Sequence, residues 1–209
     1  MEKEQLEKLG SFIDANKGKR KFNQSVDLVM NFSGIDFTKQ DNKLNLEVKL
    51  PNGRGKESKV MVFSDDRTIN SKVEKFGAKI VPSSEIPTIS NDKARQNELL
   101  EYELVAQPSL MPSIAKSLGQ FLGPRNRMPR PLIGNIENIV GGMGKSIYIR
   151  SKGKYLPTVH CVVGTEKMPV GEIAANIDEV VSNVAKKVGR QNIKSVYVKL
   201  TMSEPLRLM

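Results

Sequence analysis

Residues 18–32 read GKRKFNQSVDLVMNF. Phe22, Val26, Leu28 and Met30 fall on one parity; Lys21, Asn23, Ser25 and Asp27 fall on the other. Successive side chains of a strand point to opposite faces, so this alternation predicts a strand with one buried and one polar face. The same style recurs later in the chain. LEVKLPNGRGK, residues 46–56, predicts a second strand that ends in a turn at Pro51, Asn52 and Gly53. In LPTVHCVVG, residues 156–164, Thr158, His160 and Val162 share one face, and Val159, Cys161 and Val163 share the other. IKSVYVKLT, residues 193–201, sets Val196, Val198 and Leu200 against Ser195, Tyr197, Lys199 and Thr201. Two helices accompany these strands. Leu6, Leu9 and Ile13 recur at helical spacing before Gly18, and Ile173, Ile177, Val180, Val184 and Val188 form one apolar stripe after Pro169.

The middle of the chain has a different style. KVMVFSDD, residues 59–66, holds a continuous apolar run from Val60 to Phe63, which suits a strand buried on both faces. Asp65 or Asp66 is placed to cap a helix that runs to Phe76 and stops at Gly77. AKIVP then supplies a second apolar strand, which completes a parallel βαβ unit. YELVAQP and SIYIR (146–150) are read as further strands of this middle region. The expected architecture combines α+β and α/β. An antiparallel-sheet domain is built from both termini (1–66 plus 155–209), with a parallel α/β domain inserted at 67–154. Two chain crossings would permit a hinge; one rigid scattering envelope in every state would count against it.

Lys and Arg number 33 against 23 Asp and Glu, a formal net charge of +10. That balance points to a polyanionic partner, nucleic acid before an anionic membrane. No apolar run approaches the ~20 residues that span a bilayer, and MEKEQLEKLG lacks the apolar core of a signal peptide, so the expected location is cytoplasmic. One cysteine, Cys161, and one histidine, His160, leave no internal disulfide and almost no ligands for a metal; no cofactor is expected. As strand neighbours, the two point to opposite faces and cannot act as a Cys–His pair.

Three further stretches bear on chemistry. GGMGKS, residues 141–146, looks like a phosphate-binding loop, but the pattern needs glycine at 139, where this chain has Ile. It also needs a helix to follow, and SIYIR reads as a strand. In LGPRNRMPRP, residues 122–131, Arg125, Arg127 and Arg130 alternate with Pro124, Pro129 and Pro131. Prolines stiffen such a loop, and guanidinium forks suit phosphates, so it is read as a secondary, backbone-facing basic patch. From 112 to 154 there are eight Lys or Arg and one acid, Glu137. Finally, Lys19, Arg20 and Lys21 open the first strand, whose polar parity continues through Ser25 and Asp27. If that strand and the one carrying Ser195 to Thr201 share a sheet, one continuous polar, basic surface results. A fixed surface of that kind suits folded RNA read by shape and ribose contacts.

Several segments together resemble one family: GKRKFNQSVDLVMNF, LPNGRGK, the LGPRNRMPRP loop, VHCVVGTE and SVYVKLTMS. They are similar to the large-subunit ribosomal protein L-one (uL-one) family, and the GRGK turn is closer to its archaeal branch. The resemblance implies a domain from both termini with an inserted Rossmann-like domain. It implies a structural constituent of the large ribosomal subunit that binds large-subunit rRNA and forms the mobile side stalk near the tRNA exit site. Deacylated tRNA at that site, and the protein's own mRNA as a target of translational repression, are further implied partners. The implied contact residues are Lys21, Phe22, Ser25 and Asp27, the terminal Thr201 and Met202, and Ser195 and His160 on the same surface. Ser203 stands where the family has glycine.

Two rivals remain. A basic protein without specific RNA would bind rRNA no better than bulk tRNA. A nucleotide-using enzyme would rest on the inserted βαβ unit and the broken glycine motif alone. A thermal melt with ATP, GTP or NAD is expected to show no stabilisation; a clear rise in Tm would revive the enzyme reading.

Overall fold

The computed structural model describes residues 3–37, 39, 42–56, 59–125, 127–134, 139, 142, 144–151 and 157–209. The first elements in the chain are α1 (Lys3–Asn16), β1 (Ser25–Phe32), β2 (Asn45–Lys49) and β3 (Val60–Phe63). There follow α2 (Arg67–Glu74), β4 (Lys79–Val81), α3 (Ile86–Asn91), α4 (Lys93–Leu99), β5 (Glu103–Ala106), α5 (Met111–Leu122) and β6 (Arg130–Pro131). The last elements are β7 (Ser146–Arg150), β8 (Thr158–Thr165), α6 (Val170–Val188), β9 (Ile193–Leu200) and β10 (Leu206–Arg207). The chain divides into two compact units, Met1–Lys56 with Lys145–Met209, and Glu57–Gly144.

In the terminal unit, β10, β9, β1 and β8 form one antiparallel sheet in that order. Val26, Leu28 and Met30 of β1 and Val196, Val198 and Leu200 of β9 are fully buried. They share one core with Leu9 and Ile13 of α1 and with Ile173, Ile177, Val180 and Val184 of α6. Each such aliphatic side chain contributes about 1.5–3 kcal/mol on burial, which is why the helical stripe and the strand alternation must find each other. The strand is shorter than its alternation predicts. Residues 17–22 turn before the ladder begins at Ser25, so Phe22 leaves the buried parity and is 49% exposed.

SIYIR is not part of the inserted sheet. As β7 it pairs antiparallel with β2, Glu47 opposite Tyr148, in a separate two-stranded sheet of the terminal unit. Conversely β3, expected near the end of the terminal domain, pairs in parallel with β4 and β5. Strand pairing therefore draws both borders about ten residues earlier than the expected Arg67 and Lys154.

The inserted unit is a parallel sheet, β4-β3-β5-β6. Met61 and Phe63 pack with residues of α3, α4 and α5 on one face, while Val60 and Val62 pack with Val73 of α2 on the other. Helices on both faces explain why Val60 to Phe63 reads as an unbroken apolar run. Asp66 caps α2 by accepting from the Thr68 N–H, and Gly77 follows the helix at φ +67°. Helices α3 to α5 have no counterpart in the sequence reading. Helices α3 and α4 are only six and seven residues long, too short to show a helical period, and α3 and α5 carry proline in their first turn (Pro87, Pro112).

The 51–56 turn is fastened from three sides. Asn176, buried on α6, donates to the carbonyls of Gly53 and Val163 and accepts from the Asn52 N–H. Arg54 donates to the Ser146 carbonyl. Gly55 sits at φ +68°, and a Cβ there would lie 2.3 Å from Met168 Sδ and 2.7 Å from Thr165 Oγ1. Gly55→Ala therefore combines left-handed strain with overlap and is expected to cost about 2 kcal/mol or more. Urea denaturation should show this as a lowered midpoint with an unchanged slope.

Candidate nucleic-acid interface

The face of the four-stranded sheet away from α1 and α6 is polar. The register sets Lys199 opposite Asp27, Tyr197 and His160 opposite Val29, and Ser195 and Thr158 opposite Asn31. Arg207, opposite Tyr197, extends the face onto β10. The two expected polar strand faces thus lie side by side in one sheet. Across the middle runs a ladder in which Thr158 Oγ1 donates to Asn31 Oδ1 (2.9 Å) and Asn31 Nδ2 donates to Ser195 Oγ (3.1 Å). Ser195 is only 6% exposed. The expectation that it faces a ligand is corrected: its hydroxyl is engaged in the ladder, and it positions its neighbours.

Among the described strand residues of this face, Asp27 is the carboxylate. Burial holds its carboxyl above the ordinary carboxylate value, and the charges of Lys199 and His160 only partly offset that. His160 is exposed, whereas Cys161 points into the core, as strand alternation requires. Burial, with a smaller contribution from Asp27, pushes the Cys161 thiol up to about 12, so it carries no thiolate at neutral pH.

The sheet face continues into the turn that follows β9. The Ser25 N–H donates to Thr201 Oγ1 at 3.2 Å, which joins the start of β1 to the turn. Gln24, 2% exposed, organises the surroundings. Its amide nitrogen donates to the Asn16 carbonyl at the end of α1 and to Glu166 Oε2, and its side-chain oxygen accepts from the Met202 N–H. The Gln24 carbonyl also accepts from the Glu166 N–H. With its backbone held in this way, Met202 presents its thioether outward, 57% exposed. Ser203 does something a glycine could not, because its hydroxyl accepts from the Leu200 N–H at 2.8 Å. Lys19, Arg20, Lys21 and Phe22 are all exposed in the 17–22 turn.

Gln24 and Asn31 escaped the sequence reading. Gln24 had a signal, since it is a polar residue on the parity of Val26 and Leu28. Buried polar groups need partners, and a buried glutamine marks a place where several backbone segments meet.

Arg125 and Arg127 of the 122–131 loop have partners within the inserted unit. Arg125 stacks on Phe121, 4.1 Å from the ring centroid, and donates to the Phe121 carbonyl. Arg127 faces Glu103 at 3.9 Å, and Arg130 begins β6 half-buried with one inaccessible nitrogen. Arg125 and Arg127 nonetheless stay exposed on the loop, while Arg130 is half-buried. GGMGKS lies partly outside the described residues; from Ser146 onward it becomes strand β7, not a helix. At β3, where a nucleotide phosphate would meet the N-terminus of the next helix, the Asp66 carboxylate already occupies the amides of α2. Among the described residues no group of His, Cys, Asp or Glu is placed to hold a metal, and no helix is long and apolar enough to cross a membrane.

The raised pKa of Asp27 carries a stability consequence. Native Asp27 keeps its proton to higher pH than the unfolded chain. Its contribution to stability is therefore complete below the ordinary aspartate value of about 4 and is lost as pH rises through the native value. Asp27→Asn is expected to raise the urea midpoint at pH 7 and to lose that advantage below about pH 4.

Comparison with known proteins agrees with this architecture. The family profile described as the ribosomal protein L1p/L10e family matches residues 13–204. The large ribosomal subunit protein uL1 of Methanocella arvoryzae is 39% identical over 202 residues, covering 93% of each chain. That of Pyrococcus abyssi is 38% identical over 196 residues, covering 90% of this chain and 88% of its own. That of Thermoplasma acidophilum is 34% identical over 211 residues, covering 95% and 93%. These relatives are ribosomal proteins, not enzymes, and with matches of this extent the chain belongs to the ribosomal protein L1p/L10e family.

Proposed function

We propose that this protein is a constituent of the large ribosomal subunit in the cytoplasm and that it binds a folded site in large-subunit rRNA through the terminal unit. The observation that carries the reading is the Ser25–Thr201 hydrogen bond, together with the Gln24–Met202 bond beside it. These bonds fuse the start of β1 and the turn after β9 into one surface, although 176 residues separate Ser25 from Thr201. On that surface Lys21, Phe22, Ser25, Asp27, His160, Thr201 and Met202 contact RNA, with Ser203 setting the turn and Ser195 supporting from below. A rigid polar face of this kind reads ribose hydroxyls and the shape of a folded RNA. The exposed cations at 19–21 provide attraction to phosphates, which governs reach and salt dependence more than choice of site.

As part of the ribosome the protein forms the mobile side stalk and meets deacylated tRNA near the exit site. Binding to a similar fold in its own mRNA then represses its translation. Family membership supports both statements. The 122–131 arginines contribute at most a secondary contact to RNA backbone, because Arg125 and Arg127 already have partners within their own unit.

Filter binding to an rRNA fragment tests the division of labour. Thr201→Ala and Met202→Asp should each weaken specific binding by about 1–3 kcal/mol, the order of one good contact. Arg125→Ala should leave the preference for rRNA over bulk tRNA intact and reduce only the salt slope. A loop substitution that abolished the preference, beside a Thr201 substitution without effect, would reverse the assignment.

A further inference from the structure

Between the end of α1 and the turn after β9 lies a pocket of about 510 Å3. That volume falls within the ~300–1,000 Å3 typical of ligand sites. Its floor is the Gln24 amide, 2% exposed and held by Asn16, Glu166 and Met202, so it cannot swing aside. Its walls are different. Lys19 and Arg20 line it with exposed cationic side chains that form no ion pair among the described residues. Glu204 lines it with an exposed carboxylate that, among the described residues, accepts no hydrogen bond. Met202 adds a thioether that is 57% exposed.

The mixture of spare groups selects a ligand class. A phosphate alone would use the two cations but be repelled by Glu204. An apolar ligand would desolvate three charges without pairing any of them. An unstacked nucleotide satisfies every wall. Its phosphate suits Lys19 and Arg20, its base face suits the polarisable Met202 thioether, and a base N–H donates to the Glu204 carboxylate. RNA sites recognised in folded regions regularly splay out such a base, and the cost of unstacking is least when the base is already unpaired. We propose that this pocket receives one nucleotide turned out of the stack of the bound RNA. The phosphate sits at Lys19 and Arg20, the base lies against Met202, and Glu204 accepts from its N–H. The proposal deepens the rRNA-binding reading above and rests on it.

Abasic scanning tests it with the full chain. Each nucleotide of the protected rRNA fragment is replaced in turn by an abasic residue, and binding to wild type and to Glu204→Gln is measured. One position is expected at which base removal weakens wild type roughly tenfold and Glu204→Gln distinctly less, because the variant keeps the Met202 contact but has already lost the charge-assisted bond to the base. Abasic penalties that are the same for both proteins at every position would overturn the pocket while leaving rRNA binding intact. Titration with free AMP, CMP, GMP and UMP is expected to give no saturable binding. Saturation by one of them, together with uncoupled abasic penalties, would assign the pocket to a small ligand instead. If wild type does not prefer the rRNA fragment to bulk tRNA, the functional reading falls, and the pocket assignment falls with it.

Discussion

The terminal unit depends on β1 finding β8 on one side and β9 on the other. Residues 25–32 pair with residues 158–165 and 193–200, and the inserted unit lies in the chain between them. Such pairing carries a loop-closure cost, but that cost rises only slowly with loop length. Against it stands the burial of Val26, Leu28, Met30, Val196, Val198 and Leu200 under α1 and α6. The period of a strand then does the rest. Once one face is committed to the core, Asp27, Val29 and Asn31 must face the other way, beside Tyr197, Lys199 and His160. The polar surface is a consequence of the apolar one.

The same ladders explain where the regular pattern gives out. The β1–β8 register shifts between Val26 and Asp27, a bulge that leaves Gly164, Thr165 and Glu166 all buried, where alternation would expose one of them. At that end of the sheet, polar side chains take over from strand pairing. Gln24 collects α1, the segment after β8 and the segment after β9, and Ser25 and Ser203 close the turn locally. Ser203 is instructive, because a side-chain hydroxyl helps to close this turn. It accepts from the Leu200 N–H, so a local side-chain bond organises the turn.

Charge and recognition separate in this molecule. The formal +10 sits almost wholly in the terminal unit, where 22 Lys and Arg face 13 Asp and Glu, against 11 and 10 in residues 57–144; cations also differ in what they are free to do. Arg125 and Arg127 are drawn onto Phe121 and towards Glu103 of their own unit. Lys19 and Arg20 have no ion-pair partner among the described residues and flank the turn after β9. Counting basic residues locates attraction to a polyanion but not the surface that discriminates, because discrimination needs fixed geometry.

The sequence by itself determined the elements with a clear period: β1, β9, α6, the βαβ start of the inserted unit, and the basic balance that favours a nucleic-acid partner. Local periodicity is enough there, since each apolar side chain must go inside wherever the core happens to be. Family membership was legible too, because five motifs in one order are far more specific than any of them alone. Tertiary structure decided which strands are partners. SIYIR joined β2 and left the inserted sheet, since a short apolar run does not say what it pairs with. Phe22 moved to the surface because the ladder begins three residues after it, and Ser195 was covered because Asn31 reaches it across the sheet. Gln24, unremarkable in the sequence, became the hub of the candidate interface for the same reason: its partners lie at 16, 166 and 202, and only the fold brings them together.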